Sequence, residues 1–201
     1  MDLRTTFGNL DIYVFDQLLR GRLAPGMTVL DAGCGGGRNL VYFLREGFDM
    51  FGVDENPDAI EKARRLAAQL APRLPRDNFQ VAEIAAMPFP ALRFDAILCN
   101  AVLHYSRDEA HFDRIMAEMW RVLRPGGMFF ARLASSIGLE SRLTVRRGWC
   151  ALPDGTARFL VDEALLASTA ERLGAVALDP LKTTNVQNLR CMTTWVLRKP
   201  T

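Results

Sequence analysis

Five short apolar runs, separated by stretches whose apolar residues recur at helical spacing, govern what this chain can become. The runs are Met27–Ala32, Asp49–Asp54, Asn78–Glu83, Phe94–Asn100 and Gly127–Leu133. Several are apolar almost throughout, as strands covered on both faces must be. Between them the helices are punctuated. Asn56 is placed to cap a helix starting at Pro57, with Ile60, Ala63, Ala67 and Leu70 on one face. Ser106 and Glu109 have capping-box spacing, and Phe112, Ile115, Met116, Met119 and Leu123 follow at helical period. Met116, Met119 and Trp120 read as core. Pro125, Gly126 and Gly127 stop that helix. This alternation predicts an α/β domain built on a parallel sheet.

Both ends depart from the pattern. Ile12–Leu19 reads as a helix outside the repeating unit. After Leu133 the region from Ser135 to Arg158 is irregular. Its Arg142, Arg146, Arg147 and Trp149 read as a solvated loop rather than a site for an acidic or phosphorylated substrate or for an RNA backbone. A last helix is expected from Asp162 to Leu173, ending at Gly174. Two strands, Val176–Thr184 and Met192–Leu197, have no helix-sized connection between them and should pair antiparallel.

Composition narrows the function classes. With 25 Lys+Arg against 23 Asp+Glu, the formal charge of +2 gives no support to a polyanion partner, so nucleic acid is disfavoured. Cys34, Cys99, Cys150 and Cys191 lie far apart without a C-x-x-C pair, as expected of free thiols in a reducing compartment. His104 and His111 have no companion at metal-site spacing, so no metal site is expected. The N-terminal residues lack a secretory pattern and no apolar run has membrane-span length, so a cytoplasmic location without a membrane span is expected. Nothing in the chain specifies an oligomeric state.

The stretch VLDAGCGGGRN, Val29–Asn39, carries the chemistry. A strand running into glycines suggests a ligand close to the backbone, and a dinucleotide is the first candidate. The fingerprint G-x-G-x-x-G fails here, because the position three past Gly35 is Arg38. No Gly-Lys-Ser/Thr follows either, which removes the P-loop. Asp31 would oppose a phosphate and favour a cationic ligand. Asp54 ends the second strand, where a carboxylate can accept from ribose hydroxyls. Glu83 ends the third, where it could accept from an exocyclic amine. Three acids at three strand ends suggest a ligand with a ribose, an amine and no phosphate, a description that S-adenosylmethionine fits.

VLDAGCGGGRN, GVDENPDAIEKAR, MPFPALRFDAILCNAVLHY and WRVLRPGGMFF, in that order from about residue 27 to 133, resemble successive motifs of the class I S-adenosylmethionine-dependent methyltransferases. The GGGRN ending and the N-terminal helix are similar to small bacterial members grouped with tellurite-resistance and ubiquinone-biosynthesis methyltransferases. The resemblance implies a Rossmann-like, doubly wound, mostly parallel seven-stranded sheet with an antiparallel C-terminal strand. It implies that Asp31, Gly33, Cys34 and Gly35 flank the cofactor's methionine part and that Asp54, with Glu55 beside it, holds the ribose. Glu83 and Ile84 would meet the adenine, although the family more often has Gly-Asp where this chain has Ala82-Glu83. Asn100 and Ala101 would offer backbone contacts. Arg38 would pair with the cofactor carboxylate or with a neighbouring acid.

His104 and Tyr105 follow the fourth strand, at the expected lip between cofactor and acceptor. His104 there is either a general base or, the favoured reading, a wall. His111 reads as a surface residue. Asn185 and Arg190 are candidates for the acceptor rim. The whole chain is expected to be one domain, with residues 1–26 as a helical lid and 134–160 as an irregular substrate-side insertion. The implied activity is methyl transfer to a small molecule. A non-catalytic S-adenosylmethionine-binding protein and, further off, an NAD-dependent oxidoreductase are the alternatives.

Overall fold

The computed structural model describes residues 2–144 and 147–201. Arg146, one of the arginines singled out above, lies outside them. Two helices open the chain, α1 (Leu3–Phe7) and α2 (Ile12–Leu19). The alternation follows as β1 (Thr28–Ala32), α3 (Leu40–Arg45), β2 (Asp49–Asp54), α4 (Pro57–Leu70), β3 (Phe79–Val81), β4 (Phe94–Asn100), α5 (Glu109–Val122) and β5 (Leu123–Ser135). Then come β6 (Gly148–Ala151), β7 (Ala157–Leu160), α6 (Glu163–Arg172), β8 (Val176–Ala177), β9 (Lys182–Val186) and β10 (Arg190–Arg198).

The main sheet has the order β3-β2-β1-β4-β5-β10-β8, with β9 paired to β10 off that path. The pairs from β3 through β5 are parallel, whereas β10 runs antiparallel to β5, β8 and β9. The sheet has eight strands where seven were expected. The segment Val176–Thr184 breaks at Pro180, and its two halves dock on opposite ends of β10. Proline has no N–H for a ladder, which is a physical reason for the split.

The double winding is written into the strand alternation. Leu30, Ile97, Phe129 and Trp195 pack with α5 and α6 residues such as Phe112 and Leu165. Val29, Leu98, Phe130 and Val196 face the other way, toward Phe43 of α3 and Ile60 of α4. Each fully buried large side chain contributes roughly 1.5–3 kcal/mol relative to exposure.

Capping follows local chemistry. Asn56 accepts from the amides of Asp58 (2.9 Å) and Ala59 (3.4 Å), as the sequence predicts. The capping box at Ser106 does not form. Asp108 caps α5 through His111 N–H (2.7 Å), and Ser106 lies buried two residues earlier. A carboxylate also answers the helix dipole, which a hydroxyl does not. The turn Pro125–Gly127 does not end the helix directly: α5 stops at Val122, and the register shift between Phe94 and Ala96 of β4 accommodates these residues in β5. The expected irregular region contains the β6–β7 hairpin, joined at its far end to β5 by a bridge between Ser135 and Val161.

Candidate active site

The strand order reverses between β1 and β4, and ligands of open parallel sheets bind beyond the carboxyl ends of strands at such a point. Asp31, Asp54 and Asn100 all stand at these ends. The glycine loop turns tightly over β2, with the amides of Gly33 and Cys34 both donating to Val53 O (2.8 and 3.0 Å). Gly33 has φ 76°, and a Cβ there would lie 2.4 Å from Val102, so glycine is required. At Gly37 a Cβ would meet Leu66 of α4 at 2.9 Å; that glycine serves helix packing. Gly35 is the open one, with nothing within 4 Å of its Cβ position.

Asp54 holds this loop. Its Oδ2 accepts from Gly35 N–H (2.9 Å) and its Oδ1 from Asn56 N–H (3.0 Å). An ionised carboxylate offers about four acceptor positions, so hydroxyl donors can still be accommodated. Asp31 is different. It is 1% exposed, and its Oδ2 has no hydrogen-bond partner among the described residues. Burial pushes its pKa up to about 7; Arg38 opposes the rise and the Asp54 charge adds to it. A buried carboxyl group left short of a donor fits a ligand that brings a cationic one.

A cleft of about 530 Å³ opens beside this loop. Of the expected residues, Gly33, Asp54, Glu55, Glu83, Ile84, Ala101 and Tyr105 line it. Asp31, Cys34, Gly35, Arg38, Asn100 and His104 do not. The Cys34 side chain is in the core, and burial raises its thiol pKa, so its part in any ligand contact falls to the backbone. Arg38 points to Asp11 of the α2 cap (3.8 Å), the neighbouring-acid alternative. Asp11 also meets Arg132 at 3.4 Å. Asn100 is buried, and neither of its amide atoms has a partner among the described residues.

Glu83 lies in the turn after β3 rather than in the strand, because β3 ends at Val81. Its Oε1 is 3.3 Å from His111 Nε2 and 3.4 Å from Arg107 Nη2. His111 is therefore not a surface residue: it is buried and lines the cleft. Its Nδ1 accepts from Arg107 N–H (3.1 Å), which leaves the proton on Nε2, facing Glu83. The signal was present in the sequence, since His111 precedes the core residue Ile115 by four. Ser106, with a buried hydroxyl that has no partner among the described residues, is a further lining residue that the sequence did not single out.

A second cavity of about 240 Å³ adjoins the cleft, and Ala101 belongs to both. Ala101 has φ 64°, a strained conformation for a non-glycine residue, held by its N–H to Arg132 O (2.8 Å). His104 lines this second cavity. Its Nδ1 accepts from Ala134 N–H (3.4 Å), so the neutral ring carries its proton on Nε2. Burial, with help from Arg158 and Arg190, pushes its pKa down to about 4. Such a ring presents a donor and is a poor base.

Leu152, Asp154, Thr156 and Arg158 of the β6–β7 hairpin form one wall, and Val186, Arg190 and Met192 of β9–β10 another. Trp149 does not belong to a free loop; its Nε1–H donates to Arg107 O (2.7 Å), and Arg147 pairs with Glu109. The Asp154-Gly155 turn was the missed hairpin signal. Asn185 lies off the cavity, bonded to Asn188 (2.8 Å).

Residues 29–127 match a methyltransferase domain family. Residues 29–127 thus carry a class I S-adenosylmethionine-dependent methyltransferase domain. The chain is 36% identical over 120 residues to a ubiquinone biosynthesis O-methyltransferase of Methylocella silvestris, a match covering 58% of this chain and 44% of that protein. It is 30% identical over 156 residues to a malonyl-[acyl-carrier protein] O-methyltransferase of Enterobacter lignolyticus, covering 76% and 57%. The chain thus spans about half the length of the curated methyltransferases it matches. In fold it is similar to a 1,6-didemethyltoxoflavin-N1-methyltransferase of Burkholderia thailandensis, solved with 1,6-didemethyltoxoflavin and S-adenosylhomocysteine. That match has a TM-score of 0.70 at 21% identity and covers 100% of this chain and 82% of the other. No helix among the described residues is long and apolar enough to cross a membrane.

Proposed function

We propose that this chain transfers a methyl group from S-adenosylmethionine to a small-molecule acceptor in the cytoplasm. The observation that carries the reading is Asp31: a buried carboxyl group with an unpartnered oxygen, below a glycine loop whose fingerprint for pyrophosphate is broken by Arg38. The bound cofactor would supply an electrophilic methyl on a sulfonium sulfur. The chain's own part is to bind, orient and exclude water, work that can lower a barrier by about 7–11 kcal/mol.

In this reading Asp31 supports the cofactor's ammonium group, and Gly33, Gly35 and the Cys34 backbone lie along its methionine part. Asp54 and Glu55 take the ribose. Glu83 and Ile84 take the adenine, with His111 holding Glu83 in place. Asn100 and Ala101 form the boundary with the acceptor cavity. His104 and Tyr105 are the lip, and His104 acts as a wall and donor rather than a base. Arg38 would exchange Asp11 for the cofactor carboxylate, which makes residues 1–26 a cover that responds to binding. Residues 134–160, through the β6–β7 hairpin, form the acceptor side.

Calorimetric titration with S-adenosylmethionine, S-adenosylhomocysteine and NAD tests the proposal. Micromolar binding of the first two without NAD is the expected outcome, and Asp54→Ala should reduce it by at least about ten-fold, having lost both a polar ligand contact and the clamp on Gly35. NAD binding alone would move the chain to the oxidoreductases. Binding of S-adenosylmethionine without turnover over a broad acceptor panel would favour the non-catalytic alternative.

A further inference from the structure

The second cavity has a charge that methyl transfer itself does not require. Arg132, Arg158 and Arg190 line it against a single carboxylate, Asp154. That carboxylate is already engaged: Oδ1 accepts from the amide (2.9 Å) and hydroxyl (2.6 Å) of Thr156, and Oδ2 lies 3.7 Å from Arg190. Arg132 is answered from behind by Asp11. Arg158 makes no ion pair among the described residues; its Nη1 donates to Ala157 O (2.7 Å), and its guanidinium lies 5.1 Å from the centre of the Tyr105 ring. Tyr105 lines the cofactor cleft, so this cation, with no carboxylate paired to it among the described residues, stands at the junction of the two cavities.

We infer that the acceptor is a small organic monoanion, with a carboxylate anchored by Arg158 and Arg190 and an apolar body against Leu152 and Met192. The inference deepens the transferase reading and rests on it. A volume of about 240 Å³ is below the usual range for drug-sized ligands and excludes a large acceptor from complete burial. One unanswered positive charge matches a monoanion; a phosphate dianion would carry one charge too many. The planar guanidinium fork suits a carboxylate, and Nε2–H of His104 adds a neutral donor. Burial chiefly keeps His104 neutral, and the bound anion would offset the smaller contribution of Arg158 and Arg190.

The test uses the isosteric pair benzoate and benzamide, titrated into the full chain with and without saturating S-adenosylhomocysteine. Benzoate should bind at least about ten-fold more tightly than benzamide, in the millimolar range or better. Arg158→Gln should abolish that preference while the variant stays folded and still binds S-adenosylhomocysteine. Arg190→Gln should weaken it and serves as the second variant. Equal binding of acid and amide would overturn the inference, as would a preference that survives Arg158→Gln. So would silence from benzoate at about 10 mM, where a millimolar site is well filled. Stronger binding of inorganic phosphate than of benzoate would also overturn it. Failure of S-adenosylhomocysteine to bind is a separate result that removes the transferase reading, and the acid-over-amide preference is still read on the unloaded chain.

Discussion

Asp31 is the residue on which most of the proposed chemistry turns. Its carboxyl pKa in the folded chain is raised from the ordinary 3.8 to about 7 by burial. A raised carboxyl pKa contributes stability that is complete below pH 3.8 and is lost as pH rises through about 7. Asp31→Asn should therefore match the parent in acid and exceed it at pH 8 by on the order of a few kcal/mol, read by chemical denaturation at both pH values. The same variant should bind S-adenosylmethionine far more weakly. In the parent an ammonium group favours ionised Asp31, so affinity should increase from pH 6 to pH 8 and proton release should accompany binding below about pH 7. Titration calorimetry in buffers of different ionisation enthalpy reads that proton directly. A pH-independent affinity with no proton release would detach Asp31 from the ligand.

At the scale of elements, the start of α5 is more than a helix end. Asp108 caps it through His111 N–H, and His111 in turn holds Glu83 at the cleft. Asp162 caps α6 through Leu165 N–H (2.8 Å), and it lines neither cavity. Asp108→Ala and Asp162→Ala should each cost about 1 kcal/mol of stability. Only Asp108→Ala should also weaken binding of S-adenosylhomocysteine, because fraying of the first turn releases His111. Equal binding by the two variants would make the His111–Glu83 contact irrelevant to the cofactor. Both helices were legible from the sequence. The choice of cap at α5 was not, because Ser106 and Asp108 are both good caps, and tertiary packing buried the first.

For the molecule as a whole, the sheet is a continuous layer between two apolar clusters, so the chain should unfold in one cooperative transition. S-Adenosylhomocysteine at about a hundred-fold excess over its dissociation constant should add about 2.7 kcal/mol and raise the melting temperature by roughly 5–10 °C. NAD should leave it unchanged, and a calorimetric scan with each compares the two. Sequence periodicity determined the parallel strands, their helices and the carboxylates at strand ends, because residues i, i+2 and i, i+4 share a face whatever the rest of the chain does. Thus Asp31 and Asp54 were readable from Val29–Asp54 alone. The second cavity was not, because its arginines come from β5, β7 and β10, separated by tens of residues and without a shared period. Only the folding of the β6–β7 and β9–β10 hairpins over the end of the sheet brings Arg132, Arg158 and Arg190 to one cavity. The same packing buried His111, since a helix face becomes an interior or a surface only when another element covers it.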